Sequence, residues 1–224
     1  MKGRIIGMLG KRGHGKDTVA DHLCEVYGFK RMAFADALRE EVAEHFGVPV
    51  ELLLDRDRKE TPCKELAPPA PWDVGFRGFM RRILAPLGFL KRSPREVLQH
   101  WGTEYRRLGP EGDPEYWTKK LVGKVRSSGD GDYIITDVRF PNEADLFMDQ
   151  FPELGLEVHT VRVVRPALLN QNKSRADEHP SETALDDFST DITLTNREGE
   201  IAALYREAEQ ALNLESTLKL GLVG

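Results

Sequence analysis

The sequence holds only two cysteines in 224 residues, Cys24 and Cys63. They stand far apart, with no Cys-x-x-Cys pair and no histidine partner nearby, which excludes a disulfide framework and a zinc site. Two idle thiols in a reducing compartment are the expectation. No apolar run approaches the ~18 residues of a membrane span. The N-terminus passes from Lys2 into a short apolar strand, and Lys11 and Arg12 interrupt it too early for a signal peptide. A cytoplasmic protein is expected. Basic charge is not in excess either: 32 Lys and Arg stand against 37 Asp and Glu, a formal net charge of −5. Proteins that grip a nucleic-acid backbone draw their affinity from Lys and Arg, so this balance weighs against nucleic acid as a partner and toward a small ligand. No internal repeat is visible. The hydrophobic fraction of 40% and charged fraction of 31% suit an ordinary globular chain, long enough for one sizeable core.

What is present alternates between strand and helix patterns. Arg4 to Leu9 is a short apolar run, followed by a glycine loop from Gly10 to Gly15. Val19, Ala20, Leu23 and Tyr27 then recur at helical spacing, with Gly28 placed to stop the helix. Phe29 to Phe34 reads as a strand. Asp36 to Phe46 reads as a helix with Leu38, Val42 and Phe46 on one face, ended by Gly47. From Glu51 to Gly88 the chain is least legible, with a charge run and the prolines Pro68, Pro69 and Pro71; it reads as an irregular insertion around one or two helices. Ser93-Pro94-Arg95-Glu96 marks a helix start, with serine as cap, proline first and glutamate three after the cap. Asp113-Pro114 opens another helix, stacking Trp117, Leu121 and Val125 four apart. Tyr133 to Thr136, Leu156 to Val164 and Asp191 to Thr195 read as strands. A closing helix is expected to bury Ile201, Leu204, Tyr205, Ala208 and Leu212. Such alternation predicts an α/β fold with a mostly parallel sheet flanked by helices.

Gly10-Lys11-Arg12-Gly13-His14-Gly15-Lys16-Asp17-Thr18 carries the strongest signal. It fits G-x-x-x-x-G-K, follows a strand and opens a helix, the context of a P-loop. Glycines let backbone N–H groups turn inward around phosphate oxygens, and the helix N-terminus adds a favourable dipole. Lys16 then reaches the outer phosphates as a point charge. The usual Ser or Thr after the lysine is replaced by Asp17, with Thr18 following. Either residue is a candidate to hold a magnesium ion, and the sequence leaves both open.

Other polar residues fall at strand ends, where ligand crevices of doubly wound sheets lie. Asp36 and Arg39 follow the second strand; they are suited to orient a second anionic ligand, or to serve as a plain helix cap and a solvated side chain. Asp137 emerges from a buried strand, where a carboxylate is costly unless paired or near a metal. Arg139 is placed for a phosphate, and Asn142 and Glu143 begin the next helix. Arg95, Gln99, Glu104 and Arg106 share one helical region with Trp101, which either stacks on a base or sits in the core. Trp117 reads more as core than as ligand wall. Asn170 to Glu178, holding Lys173 and Arg175, reads as a flap of the kind that closes over a triphosphate. His179 and Glu182 lack a third ligand and read as anchors of that flap, not as a metal pair.

Together these pieces resemble the deoxynucleoside monophosphate kinases of bacteriophages. The match runs through the Gly-Lys-Asp-Thr loop, Phe34 to Arg39, Leu98 to Glu104, Tyr116-Trp117, Asp137 to Arg139, Val164 to Pro166, His179 to Glu182 and Leu194 to Asn196, in order. Residues 51 to 90 are unmatched. The resemblance implies one P-loop kinase domain over 1–224, with an acceptor-binding insertion at about 40–120, a lid at about 166–182, and often a dimer. It implies transfer of the ATP γ-phosphate, with Mg2+, to a deoxynucleoside monophosphate. Gly10, Lys11, Arg12, Gly13, His14, Gly15, Lys16, Asp17, Thr18 and Arg175 would hold the donor. Lys16, Asp36, Asp137 and Arg139 would be catalytic, with metal at Asp17 and Thr18. Asp36, Arg39, Arg95, Gln99, Trp101, Glu104, Trp117, Asp137, Arg139 and Glu143 would bind the acceptor. The Gly-Lys-Asp loop also looks like that of phosphomevalonate kinases, and related phage enzymes act on modified pyrimidines in DNA. A non-catalytic nucleotide-binding regulator is a further alternative.

Overall fold

The structure, a computed structural model, describes residues 3–55, 57–66, 75, 93–109, 111–169 and 183–214. The chain divides into two compact units, 1–33 with 122–224, and 34–121.

The first unit is built on a five-stranded sheet. Its strands are β1 (Arg4–Leu9), β2 (Lys30–Met32), β3 (Tyr133–Ile135), β4 (Glu157–Val164) and β5 (Ile192–Thr195), in the order β2-β3-β1-β4-β5. Every pairing is parallel; Ile6 faces Ile134 on one side and His159 on the other. A central strand of such a sheet is covered on both faces, so it reads as a continuous apolar run. Accordingly Ile5, Ile6, Met8 and Leu9 are all fully buried.

Alternation along β1 assigns the faces. Ile6 and Met8 join a cluster with Val19, Ala20 and Leu23 of α1 (Lys16–Tyr27) and with Leu204 and Ala208 of α9 (Ile201–Ala211). Gly7 points the other way, where the Phe147 ring covers it so closely that a Cβ would stand 2.6 Å from Cζ. Phe147 belongs to α6 (Pro141–Met148), which with α7 (Gln150–Glu153) packs on β4. Helices therefore cover both faces of a parallel sheet, as the alternation predicts. Two residues of the closing helix depart from the expected burial: Ile201 is 51% exposed, because it is the first residue of α9 and precedes the stripe that faces the sheet, and Tyr205 is only half-buried.

The second unit contains α2 (Phe34–Phe46), α3 (Val50–Leu54), a 3-10 turn at Lys64–Leu66, and α4 (Pro94–Gln99), which runs into a π-helical stretch at His100–Tyr105. The widened turn was not foreseen. It shows in the Arg106 N–H donating to the Trp101 carbonyl at 3.0 Å, five residues back. The helix α5 (Tyr116–Ser127) follows, with Trp117, Leu121 and Val125 each 3% exposed, the stripe expected from the four-residue spacing. A short helix α8 (Pro166–Leu169) follows β4.

Candidate active site

The loop between β1 and α1 lies at the carboxyl edge of the sheet's central strand. Gly10 and Gly15 have φ of 122° and 108°, values that L side chains avoid. Both also sit against backbone or side-chain atoms of neighbouring strand ends: a Cβ at Gly10 would come 2.5 Å from the Val163 oxygen. Lys16 folds back over its own loop, its Nζ donating to the Gly10 carbonyl and, at 2.9 Å, to that of Lys11. Lys11 in turn pairs with Asp186 at 3.2 Å. That carboxylate lies on the segment before β5, which Arg162 ties to β4 through the carbonyls of Leu185 and Phe188 at 2.8 and 2.7 Å.

His14 is 5% exposed and turned inward, not toward solvent. Its Nδ1 accepts from the Arg165 N–H at 3.4 Å, and its carbonyl accepts from the Asn196 amide at 2.9 Å. Burial holds the imidazole pKa below its ordinary value; a hydrogen bond with the Val163 backbone opposes this, and the charges of Lys16, Lys11 and Arg165 add to it. The ring is thus neutral near pH 7. Arg12 is exposed.

Asp17 faces outward from α1. Arg31 of β2 bridges it to Asp21, donating to one oxygen of each carboxylate. Thr18 is half-buried. Magnesium is bound through hard oxygen ligands, keeps several waters and needs only one or two protein groups beside the substrate phosphates. A hydroxyl and a carboxylate at the loop's helix end fit that requirement, although the described residues contain no cluster of three or more His, Cys, Asp or Glu that would make an all-protein metal cage.

Asp137 and Arg139 follow β3 at the same edge of the sheet, both half-buried. Glu143 is 2% exposed, and its Oε2 accepts from the backbone N–H groups of Arg139 at 2.7 Å and Phe140 at 3.1 Å. It therefore fixes the backbone that carries Arg139, while its own carboxylate is turned away from solvent.

In the second unit, Arg39 pairs with Asp36 at 3.2 Å, and Arg95 with Glu60 at 2.5 Å. Gln99 ends α4, and Glu104 lies 3.5 Å from His100. Trp101 is 2% exposed and donates its indole N–H to Glu41 at 3.0 Å, so the structure places it in the core. Trp117 is also buried, donating to the Gly102 carbonyl at 2.9 Å. Glu41, absent from the sequence expectations, is the hub of this unit. It also takes Arg106, the Tyr116 hydroxyl at 2.7 Å and Lys120 at 3.7 Å. Lys173, Arg175, His179 and Glu182 lie outside the described residues.

Arg165, Asn196 and Asp186 are the strand-end and loop-contacting residues to which sequence reading gave no role. Val164-Arg165-Pro166 and Leu194-Thr195-Asn196 are visible as motifs, but nothing local says that these residues turn toward residues 11 to 15.

A five-stranded parallel sheet with its phosphate loop after the central strand makes this a P-loop nucleotide-binding protein of the α/β class. No family profile matches the sequence. A protein of Acanthamoeba polyphaga mimivirus described as a deoxynucleotide monophosphate kinase is 30% identical over 200 residues, 86% of this chain and 88% of the relative. The deoxynucleoside-5′-monophosphate kinase of Escherichia phage T5 is 29% identical over 219 residues, 81% of this chain and 84% of the relative. The chain belongs to the deoxynucleoside monophosphate kinase family. Among solved structures, the dephospho-CoA kinase of Campylobacter jejuni aligns at 12% identity with a TM-score of 0.46, over 98% of this chain and 100% of that one.

Proposed function

We propose that the chain moves the γ-phosphate of ATP to a deoxynucleoside 5′-monophosphate, giving the diphosphate and ADP. The observation that carries this reading is membership of a family whose matched relatives are named for that activity over more than four-fifths of this chain, joined to the loop geometry around Lys16. An oxygen of the acceptor's phosphate attacks the γ-phosphorus, and the bond to the bridging oxygen of the leaving ADP breaks. The attacking oxygen is already anionic, so no strong base is needed, and positioning with charge neutralisation carries the rate.

Each residue then has a task. The loop N–H groups hold the donor's phosphates. Lys16 leaves the Gly10 and Lys11 carbonyls, which only store it, for the transferring phosphate. Thr18 and Asp17 are the groups that would hold magnesium, whose charge offsets that of the β- and γ-phosphates. Arg139, on a backbone fixed by Glu143, takes the acceptor phosphate beside Asp137. Asp36, Arg39, Arg95, Gln99 and Glu104 of the second unit serve the acceptor's sugar and base, which makes that unit the acceptor-binding arm. Trp101 and Trp117 support it from within its core.

The test is an assay of ADP release with each deoxy- and ribonucleoside monophosphate in turn. Turnover is expected with at least one deoxynucleotide, and Lys16→Ala should reduce it by about 10³-fold or more while staying folded. Transfer only to mevalonate phosphate or to polymeric DNA would overturn the acceptor assignment. Near-normal activity in Lys16→Ala would overturn the site.

A further inference from the structure

Asn196 reaches from the end of β5 into the phosphate loop, where its Nδ2 donates to the carbonyl oxygen of His14 at 2.9 Å. The strand end that carries it is itself anchored. The Asn196 N–H donates to the Val164 carbonyl at 2.8 Å, and the Thr195 N–H to the Glu207 carboxylate of α9 at 3.3 Å. The amide also fills the space above Gly15, where a Cβ would stand 2.5 Å from Nδ2. One side chain therefore both captures the carbonyl at 14 and requires glycine at 15.

The consequence follows from peptide geometry. In a trans peptide the C=O and the following N–H are locked in one plane and point in opposite directions. Holding the His14 oxygen toward β5 points the Gly15 N–H the opposite way within that plane, away from β5. Among the described residues no acceptor takes that N–H. If the carbonyl were released, this peptide could rotate, and its negative end would compete with a phosphate for the loop. Glycine on the C-terminal side makes such a rotation easy, so an external clamp is needed.

We propose that Asn196 is a positioning residue for the donor triphosphate. By clamping the His14 carbonyl it fixes the His14–Gly15 peptide with its N–H directed at the phosphates. The proposal rests on the nucleotide-binding reading of the loop, and it adds a residue that contacts no reacting atom.

The experiment compares wild type, Asn196→Ala, Asn196→Asp and Lys16→Ala. It measures the Kd of a fluorescent ATP analogue, separate KM values for ATP and acceptor, and melting temperatures with and without ATP. Loss of one hydrogen bond of ordinary strength predicts an ATP Kd about fivefold to tenfold weaker in Asn196→Ala. The acceptor KM should stay within about twofold of wild type, since a donor-side clamp leaves acceptor contacts untouched and the rise in melting temperature on adding ATP should shrink. Asn196→Asp keeps the shape but faces the carbonyl with a charge, and should be weaker still. A folded Asn196→Ala protein with wild-type ATP affinity would overturn the proposal. So would equal losses in both KM values with an undiminished ATP-induced melting shift, the pattern of general structural damage. Wild type that binds ATP but phosphorylates no monophosphate would refute the proposed function, while the Kd comparison would still decide the role of Asn196. Wild type that binds no ATP overturns both.

Discussion

The hydroxyl of Tyr116 donates to Oε2 of Glu41 at 2.7 Å. Glu41 simultaneously takes the Trp101 indole and the Arg106 guanidinium, and Arg106 lies over the rings of Trp101, Tyr105 and Tyr116 at 5.0 to 5.5 Å. A half-buried carboxylate with this many donors is satisfied, so removing it strands several polar groups at once.

That arrangement makes Tyr116 a reporter. Burial, then the hydrogen bond to Glu41 and its charge, push the phenol up from 10.0 to about 12. The folded chain therefore holds this proton more tightly than the unfolded chain. The stabilisation is complete below pH 10 and lost as pH rises toward 12. Absorbance titration should show a late tyrosine step that Tyr116→Phe removes, distinct from that of Tyr133, whose phenol burial also pushes up. Glu41→Ala should shift that step down toward 10 and lower stability by about 2 kcal/mol, the range for hydrogen bonds to a charged group. An unchanged titration in Glu41→Ala would show that Glu41 does not control the phenol.

Glu143 offers a second contrast. Its buried Oε2 accepts two backbone N–H groups ahead of α6. Glu143→Ala leaves both donors unsatisfied and should cost about 2–3 kcal/mol in chemical denaturation. Glu143→Gln keeps an acceptor oxygen and should stay near wild type in stability, with an acceptor KM within about twofold. A large KM increase in a stable Glu143→Gln protein would instead mean that the carboxylate meets the acceptor directly.

Local chemistry was readable where one short segment contains all its own partners. Ser93 and Glu96 form the expected capping box, with the Ser93 N–H to Glu96 at 3.0 Å and the return bond to Ser93 Oγ at 3.3 Å. Gly28 ends α1 with φ 73°, as its place in the pattern predicts. The phosphate loop was legible for the same reason, since seven successive residues specify it. What escaped depends on contacts far along the chain. Glu41 meets residues 60 to 79 positions away, and Asn196 meets His14 across 182. The π-helical turn at His100–Tyr105 was hidden as well. It accommodates Gly102 beneath Leu38, where a Cβ would come within 3.0 Å, and no local propensity announces that packing.

His14 predicts a pH dependence. An unfolded histidine protonates near 6.5, whereas burial lowers the folded value. Between the two, the unfolded chain binds more protons, so stability rises with pH through that window. It is fully present above about 6.5 and is lost as the pH falls through the folded value. Denaturation midpoints measured from pH 5 to 7.5 should show this slope. His14→Asn, which cannot titrate, should flatten it. A wild-type slope persisting unchanged in His14→Asn would assign the effect to another group.

Arg31 bears on how the loop would hold magnesium. It pairs with Asp17 and Asp21 across an exposed surface, with the side chains 36%, 52% and 57% accessible. Exposed pairs of this kind contribute about 0.2–1 kcal/mol, so Arg31→Ala should remain folded with little loss of stability. If Asp17 also serves the metal, Arg31 competes with it for the same carboxylate. Freeing that carboxylate should then lower the magnesium concentration for half-maximal turnover, and for magnesium-dependent binding of a fluorescent ATP analogue, by about twofold to fivefold, the factor matching that range of energies. Thr18→Ala should move both in the opposite direction by removing an oxygen ligand. If Arg31→Ala leaves the magnesium requirement unchanged while Thr18→Ala raises it, then the ion is held through the hydroxyl alone and Asp17 serves only to tie α1 to β2.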